Sequence, residues 1–98
     1  MSIRSEVEWS WDRRKARANL LEHGVTFAEA ATALEDDHAL SREDPGAIEE
    51  QRFVTLGLSS SGNLLVVVYA YRESNVVRII SAWKANRRQR SQYAKARG

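Results

Sequence analysis

The stretch RIISAWKANRRQRSQYAKAR, residues 78–97, carries most of the chemistry that this 98-residue sequence offers. It holds seven Lys or Arg and no acidic residue, and Arg87, Arg88 and Arg90 fall in the predicted first turn of a helix. A helix N-terminus is the positive end of the backbone dipole, so each cation there is disfavoured by roughly 0.3–1 kcal/mol. Phosphate binding would explain the arrangement. A solvated basic turn, balanced by acidic residues elsewhere, is the alternative.

A second group of charged side chains lies on predicted strands. Arg78 interrupts an apolar run, and strict strand alternation predicts that it shares a face with Ala82. Arg52 repeats the pattern on a neighbouring strand, and Glu50, two residues earlier, shares its face. These side chains indicate either a buried salt-bridge cluster or a site that grips a phosphate, and the pattern does not choose between them.

The charges are divided unevenly along the chain. Residues 1–50 hold 6 Lys or Arg and 12 Asp or Glu, a net of −6, whereas residues 51–98 hold 9 Lys or Arg and one acid, a net of +8. This split favours a basic nucleic-acid face beside an acidic body, or two halves that pair with each other.

Composition and motifs exclude several classes of function. There is no Cys, so disulfides, thiolate nucleophiles and zinc–thiolate sites are ruled out. The two His residues lie in different predicted elements, and no HExxH, Walker or GxGxxG pattern occurs, so we expect catalysis without a metal or a cofactor.

No apolar run reaches the roughly 20 residues that span a membrane, and the charged N-terminus does not resemble a signal peptide. We therefore expect a cytoplasmic protein with no membrane contact.

Local signals predict an α+β fold. Asp12 and Gly24 suit the beginning and the end of a first helix with Leu20 on its apolar side, and Asn86 can cap the last helix. The predicted elements are a short first strand at 7–9, helices at 12–24 and 25–34, three strands at 50–58, 64–71 and 76–83, and a helix at 87–97. A short strand near 38–42 is an optional fourth member of the later group. Short turns join the last three strands, so we expect a small antiparallel sheet of three to four strands, flanked by two N-terminal helices and a C-terminal helix. One domain is expected over residues 1–98.

The residues resemble the BrnT family of bacterial type II toxins over nearly the whole chain. EWSWDRRKARANLLEHGVTFAEAATALED is similar to the N-terminal signature of that family, roughly W-D-x-x-K-x-x-x-N-x-x-x-H-G-V-x-F-x-x-A, and GLSSSGNLLVVVYAYRESNVVRIISAWKANRRQRSQY resembles its C-terminal half. The positions that match the signature are Trp11, Asp12, Lys15, Asn19, His23, Gly24, Val25, Phe27 and Ala30.

The resemblance implies a fold similar to that of the RelE and ParE toxins and a ribonuclease activity that arrests growth. It also implies neutralisation by a BrnA-type antitoxin with a ribbon-helix-helix DNA-binding domain. The expected complex holds two copies of each protein and represses its own operon, so this chain contacts DNA only through the antitoxin.

Position 83 departs from the family pattern. The segment that usually reads ISARKA is ISAWKA here, so Trp83 stands where the family generally has Arg. Trp can stack on a base but carries no charge, and the loss of one charged stabiliser commonly lowers a rate by about 10²–10³. A weakened or inactive toxin is therefore one of the expectations.

For an active enzyme we expect the 2′-OH of RNA to attack the adjacent phosphate while side chains move protons and stabilise charge. Arg78 and Lys84 are the expected phosphate stabilisers, with Arg52 next, so Arg78→Ala should abolish cleavage in a folded protein. Glu50 is the expected base. His23 either transfers protons or has a structural role, in which it caps the helix carbonyls or packs on the sheet. The residues expected to bind RNA are Trp83, Arg87, Arg88, Arg90 and Tyr93, although packing is the favoured role of the last.

Three rival functions use the same cations differently. A non-catalytic module would bind RNA or an antitoxin without cutting RNA. A ParE-like toxin would poison a protein target and leave RNA intact. A structural partner whose basic helix docks an acidic antitoxin segment would show little salt-dependent affinity for RNA.

Overall fold

The computed structural model describes residues 6–98, and within them the chain forms five strands and three helices. Their bounds are β1 Glu8–Trp11, α1 Arg13–His23, α2 Phe27–Leu34, β2 Leu40–Glu43, β3 Phe53–Leu58, β4 Leu64–Glu73, β5 Val76–Lys84 and α3 Arg87–Arg97. The predicted α+β class and the three flanking helices are confirmed. The predicted strand count is wrong, because the sheet has five strands rather than three to four. None of the helices in this part of the chain is long and apolar enough to cross a membrane.

The sheet is mixed rather than purely antiparallel. Its strand order is β1-β5-β4-β3-β2. β2 to β5 pair antiparallel, which the short turns predicted for β3, β4 and β5, but β1 lies parallel to β5 at the other edge. β1 and β5 come from opposite ends of the chain, so no turn signal in the sequence specifies their pairing.

Two apolar cores lie on opposite faces of the sheet. Leu65 of β4 belongs to a core with Phe27 of α2, whereas the next residue, Val66, belongs to a core with Tyr93 of α3. Successive side chains of a strand point to opposite faces, so α2 covers one face and α3 the other. α1 packs chiefly against β5.

The first helix has the predicted ends but a different buried side. The Asp12 carboxylate accepts hydrogen bonds from the N–H groups of Arg14 and Lys15, and Gly24 ends the helix with a φ of 69°. Leu20, expected on the apolar side, is 47% exposed, and the buried residue is Asn19. The side of α1 that carries Asn19 faces the polar backbone edge of β5 rather than an apolar sheet surface. A polar side chain is therefore buried there, and Leu20 is left exposed.

A β-bulge reverses the alternation of side chains within β5. The register with β4 shifts between Val68 and Tyr69, and Ile80 is the extra residue on β5. Ala82 therefore lies in the core beneath α1 and α2, fully buried. Arg78 lies on the other face, so the prediction that it shares a face with Ala82 is wrong.

Candidate active site

A depression of about 580 Å³ lies between the end of α1 and the end of β5, and it is lined by Glu22, His23, Trp83 and Lys84. We call it the α1–β5 cleft. Its four side chains supply a carboxylate, an imidazole, an indole face and an ammonium group. His23, Trp83 and Lys84 were each predicted as site residues from the sequence, and the fold brings them together.

His23 supplies the imidazole of the cleft. It occupies the last position of α1, its side chain is 34% exposed, and its Nε2 atom lies 3.8 Å from Oε2 of Glu22. Its ring centroid is 5.9 Å from that of Trp83, with the two planes tilted by 42°. A bound ligand can therefore reach the imidazole and the indole at the same time.

Lys84 brings a cation to the cleft from the last position of β5. It is exposed and lies opposite Leu65, on the face of the sheet that α2 covers. Hydrogen bonds from Ser59 Oγ (2.6 Å) and Asn63 Nδ2 (2.7 Å) hold the pKa of Glu29 below its usual range, and attraction to Lys84 also lowers it. Glu29 is thus a fixed anion near the Lys84 ammonium group.

Asn19 joins the two elements that form the cleft. β1 pairing ends with Trp11 opposite Ile79, and beyond that point no strand of the described chain lies beside this edge of β5. The Asn19 side chain takes the place of a strand at Ala82: its Oδ1 accepts from the N–H (3.0 Å) and its Nδ2 donates to the carbonyl oxygen (2.8 Å). Nδ2 also donates to the carbonyl oxygen of Val25 at 3.0 Å.

Sequence reasoning did not identify Asn19 as a residue of the site. One signal was available, because Asn inside a helix competes for backbone hydrogen bonds and disfavours the helix. An Asn at such a position indicates that its side chain is needed for a hydrogen bond to another element.

Arg78 does not contribute to the α1–β5 cleft. It lies opposite Ala70 and Ser10, and its Nη1 donates to Ser10 Oγ at 3.3 Å. Lys84 lies opposite Leu65, five residues from Ala70 along β4, which corresponds to about 17 Å. Since Arg78 and Lys84 also lie on opposite faces of the sheet, they cannot hold the same phosphate, contrary to the sequence prediction.

Glu50 and Arg52 form an ion-pair cluster at the far end of the sheet. Glu50 Oε2 lies 3.0 Å from Nη1 of Arg72, and Oε1 lies 3.7 Å from Nε of Arg52. Arg72 is seven residues along β4 from the partner of Lys84, or about 23 Å. The ion pairs that the sequence suggested are present, with Arg72 in the place predicted for Arg78, but their side chains are 29–47% exposed rather than buried.

A second depression, the α3 groove, runs between α3 and strands β2 and β3 and has a volume of about 570 Å³. Arg42 of β2 and Arg88 of α3 bring cations to it, and Gln89 lines it beside them. Arg87 is exposed on the first turn of α3. Arg90 is partly engaged already, because its Nη1 donates to the carbonyl oxygen of Ala85 at 2.9 Å.

Tyr93 packs inside the protein rather than facing a ligand. It is 6% exposed, and its hydroxyl donates to Oδ2 of Asp36. Burial, together with the hydrogen bond to Asp36, raises the pKa of Tyr93 to about 12. A base cannot stack on a ring buried in this way, so we exclude Tyr93 from the RNA-binding residues.

Comparison with known proteins gives a family for this arrangement. The family model described as "Ribonuclease toxin, BrnT, of type II toxin-antitoxin system" matches residues 11–89, which include all four residues of the α1–β5 cleft. The crystal structure of the Brucella abortus ribonuclease toxin BrnT resembles this fold with a TM-score of 0.62 and 20% sequence identity, covering 83% of this chain and 99% of that one. At that identity the likeness concerns the fold alone. No curated protein sequence matches the chain.

Proposed function

The chain belongs to the BrnT family of ribonuclease toxins of type II toxin–antitoxin systems, and we propose that it is a metal-free endoribonuclease that cleaves RNA in the α1–β5 cleft. The observation that carries the proposal is the convergence of His23, Trp83 and Lys84 on one depression. Glu22 takes the place of Glu50 as the carboxylate of the site. Among residues 6–98 no group of three or more His, Cys, Asp and Glu side chains could hold a metal ion.

In the proposed reaction the 2′-oxygen of a nucleotide attacks the adjacent phosphorus and the bond to the 5′-oxygen breaks, leaving a 2′,3′-cyclic phosphate and a 5′-hydroxyl. One proton leaves the 2′-oxygen and one is returned to the 5′-oxygen, and His23 and the neighbouring Glu22 are the two groups that transfer them. Lys84 stabilises the extra negative charge of the phosphorane. The need for a 2′-hydroxyl restricts the substrate to RNA.

Trp83 and the basic helix bind the rest of the substrate. The indole, half-buried at the rim of the cleft, offers a face on which an unpaired base stacks, which favours single-stranded RNA. Arg87 and Arg88 bind flanking phosphates near the α3 groove. Arg90 contributes less to phosphate binding, because its guanidinium already donates a hydrogen bond.

The family also implies partners. A type II toxin has a protein antitoxin as well as its RNA substrate. We propose a BrnA-type antitoxin with a ribbon-helix-helix domain, bound as two copies of each protein in the cytoplasm, with DNA contacted only through the antitoxin. The RelE-like or ParE-like character of the fold belongs to the same proposal.

Trp83 supports a second candidate function. An indole in place of the Arg that the family resemblance predicts removes one charge from the proposed site. The protein would then bind RNA or the antitoxin through the same surfaces and cleave RNA slowly or not at all.

Two variants of one strand test the site. Lys84→Ala and Arg78→Ala each remove one cation from β5, but only Lys84 lines the cleft. With excess chelator present, the wild type should cleave a single-stranded RNA, and Lys84→Ala should lower kcat by about 10²–10³. Arg78→Ala should change kcat less than about tenfold. The reverse ranking would move the active site to the face of Arg78, and an intact RNA in every reaction would favour a binding module or a ParE-like toxin.

A further inference from the structure

We infer that Asn19 is a positioning residue that sets the separation of His23 and Trp83 across the α1–β5 cleft. This inference rests on the ribonuclease site proposed above. Asn19 is 5% exposed, and each of its side-chain polar atoms is hydrogen-bonded to the backbone of another segment.

The position of these hydrogen bonds explains why they control the cleft. Asn19 lies four residues before His23 on α1, which is about one helical turn. Ala82, its partner on β5, directly precedes Trp83. The Asn19 amide therefore connects the two walls of the cleft. Its attachment point on α1 is one turn from His23, and its attachment point on β5 is one residue from Trp83.

The amide controls orientation as well as distance. It bonds both the N–H and the carbonyl oxygen of Ala82, which holds the strand at two points, and its third hydrogen bond, to Val25, holds the chain just after α1. Two carbonyl oxygens need a donor and one N–H needs an acceptor, so only one orientation of the amide satisfies all three.

β4 pairs with one edge of this part of β5, but no strand in the described chain lies along the other edge, which faces α1. Pairing with β1 ends at Ile79, so Ala82, Trp83 and Lys84 rely on the Asn19 side chain along that edge. A displacement of about 1 Å between reacting groups lowers a rate by up to about 10². Loss of this amide is expected to change the 5.9 Å separation of the His23 and Trp83 rings. The cleavage rate should fall as a result.

Asn19→Ala tests the inference through two independent measurements. The Trp83 indole N–H and the His23 ring protons report the geometry of the cleft by NMR, and their shifts should change in the folded variant. With a single-stranded RNA oligonucleotide, kcat per folded molecule should fall by about 10- to 100-fold, while KM stays within about threefold. A residue that served only the stability of the fold would reduce the folded fraction and leave kcat per folded molecule unchanged.

Thr55→Val is the matched control. Thr55 is 1% exposed and shares hydrogen bonds with Ser41 and Tyr69 near the opposite edge of the sheet. This variant also loses buried side-chain hydrogen bonds, yet the Trp83 and His23 signals and kcat per folded molecule should match the wild type.

Asn19→Asp supplies a second variant of the same size. As a carboxylate it faces the two carbonyl oxygens and repels them, but once protonated it can donate to one of them and still accept from the Ala82 N–H. The Trp83 and His23 signals should therefore move toward their wild-type positions, each compared with the wild type at the same pH, when the Asp side chain is protonated at lower pH.

Unchanged Trp83 and His23 shifts in folded Asn19→Ala would overturn the inference, as would the failure of both Asn19 variants to fold, since Asn19 would then serve the fold itself. If the wild type does not cleave RNA, the proposed function fails, but the NMR shifts still decide whether Asn19 sets the cleft geometry.

Discussion

The hydroxyl of Tyr93 donates a hydrogen bond to the Asp36 carboxylate, which joins α3 to the end of α2 across 57 positions of the chain. Tyr93 is the one buried residue of α3. The same carboxylate accepts hydrogen bonds from the N–H groups of Leu58 (2.9 Å) and His38 (3.0 Å). One acidic side chain therefore holds together the helix that carries the basic residues, the end of β3 and the segment before β2.

Tyr93→Phe should lower the free energy of unfolding at neutral pH by about 1.5–3 kcal/mol, because it removes a hydrogen bond to a charged group. Burial and Asp36 raise the pKa of Tyr93 to about 12, above an unfolded value near 10. The stabilisation is then complete below about pH 10 and is lost as the pH rises toward about 12. Urea unfolding should show the wild type losing stability over this interval faster than Tyr93→Phe.

Protonation of Asp36 weakens the same interaction at low pH. Partial burial raises its pKa, but the hydrogen bonds from Tyr93, Leu58 and His38 outweigh burial and leave the pKa below its usual value. A lowered pKa in the folded state means that stability is lost as the pH falls below about 4. Tyr93→Phe should lose less in this range than the wild type. If the free energies of unfolding of the wild type and Tyr93→Phe changed in parallel with pH, in acid and in base, the hydrogen bond would contribute little.

Helix ends were predictable because their determinants are local. Asp12 and Gly24 bound α1, and Asn86 caps α3 as predicted, in a capping box that Gln89 completes by accepting a hydrogen bond from the Asn86 N–H. Each of these depends on residues within three or four positions, and the sequence contains all of that information.

Features that depend on pairing between distant strands were not predictable in the same way. The bulge at Ile80 exists only in relation to β4, and it places Arg78 and Lys84 on opposite faces although they are six positions apart, an even spacing that predicts the same face. The α1–β5 cleft likewise depends on Asn19 packing against an edge of β5 that is left open where β1 ends. Residue types suggested His23, Trp83 and Lys84 one by one, whereas their convergence required the fold.

His23→Gln should lower kcat by about 10²–10⁴, because the cleft loses one of its two proton-transfer groups. KM should change less, since the imidazole contributes more to the transition state than to binding. His38→Gln is the matched control, as His38 is the other histidine of the chain, is exposed and does not line the cleft. Comparing pH profiles of kcat should show one limb absent in His23→Gln and retained in His38→Gln. Equal activity of the two variants would remove His23 from the mechanism.

Trp83→Arg should raise kcat by about 10²–10³ if the site lacks one charge for the phosphorane. Trp83→Gln removes the indole without adding a charge, so it separates the effect of the cation from the effect of losing Trp83. We expect Trp83→Gln to weaken single-stranded RNA binding by about 1–3 kcal/mol through lost stacking. A wild type as fast as Trp83→Arg would show that the indole serves the reaction as it stands. Cleavage by Trp83→Arg alone would favour the second candidate function, a binding protein with a weakened site.

Arg88→Gln should weaken RNA binding in a salt-dependent way, because Arg88 is an exposed cation that lines the α3 groove. Each phosphate contact contributes about 0.7 to the slope of log K against log salt for a single strand, so the variant should lose about that much of the slope. A 2′-O-methyl oligonucleotide measures binding without cleavage, since it lacks the attacking hydroxyl.

Arg52→Gln is the control for this measurement. The Arg52 guanidinium faces Glu50 at the far end of the sheet, so the slope measured for Arg52→Gln should equal that of the wild type. If both variants kept the wild-type slope, RNA would not follow the α3 groove, and the cations of α3 would be better explained by an acidic segment of the antitoxin.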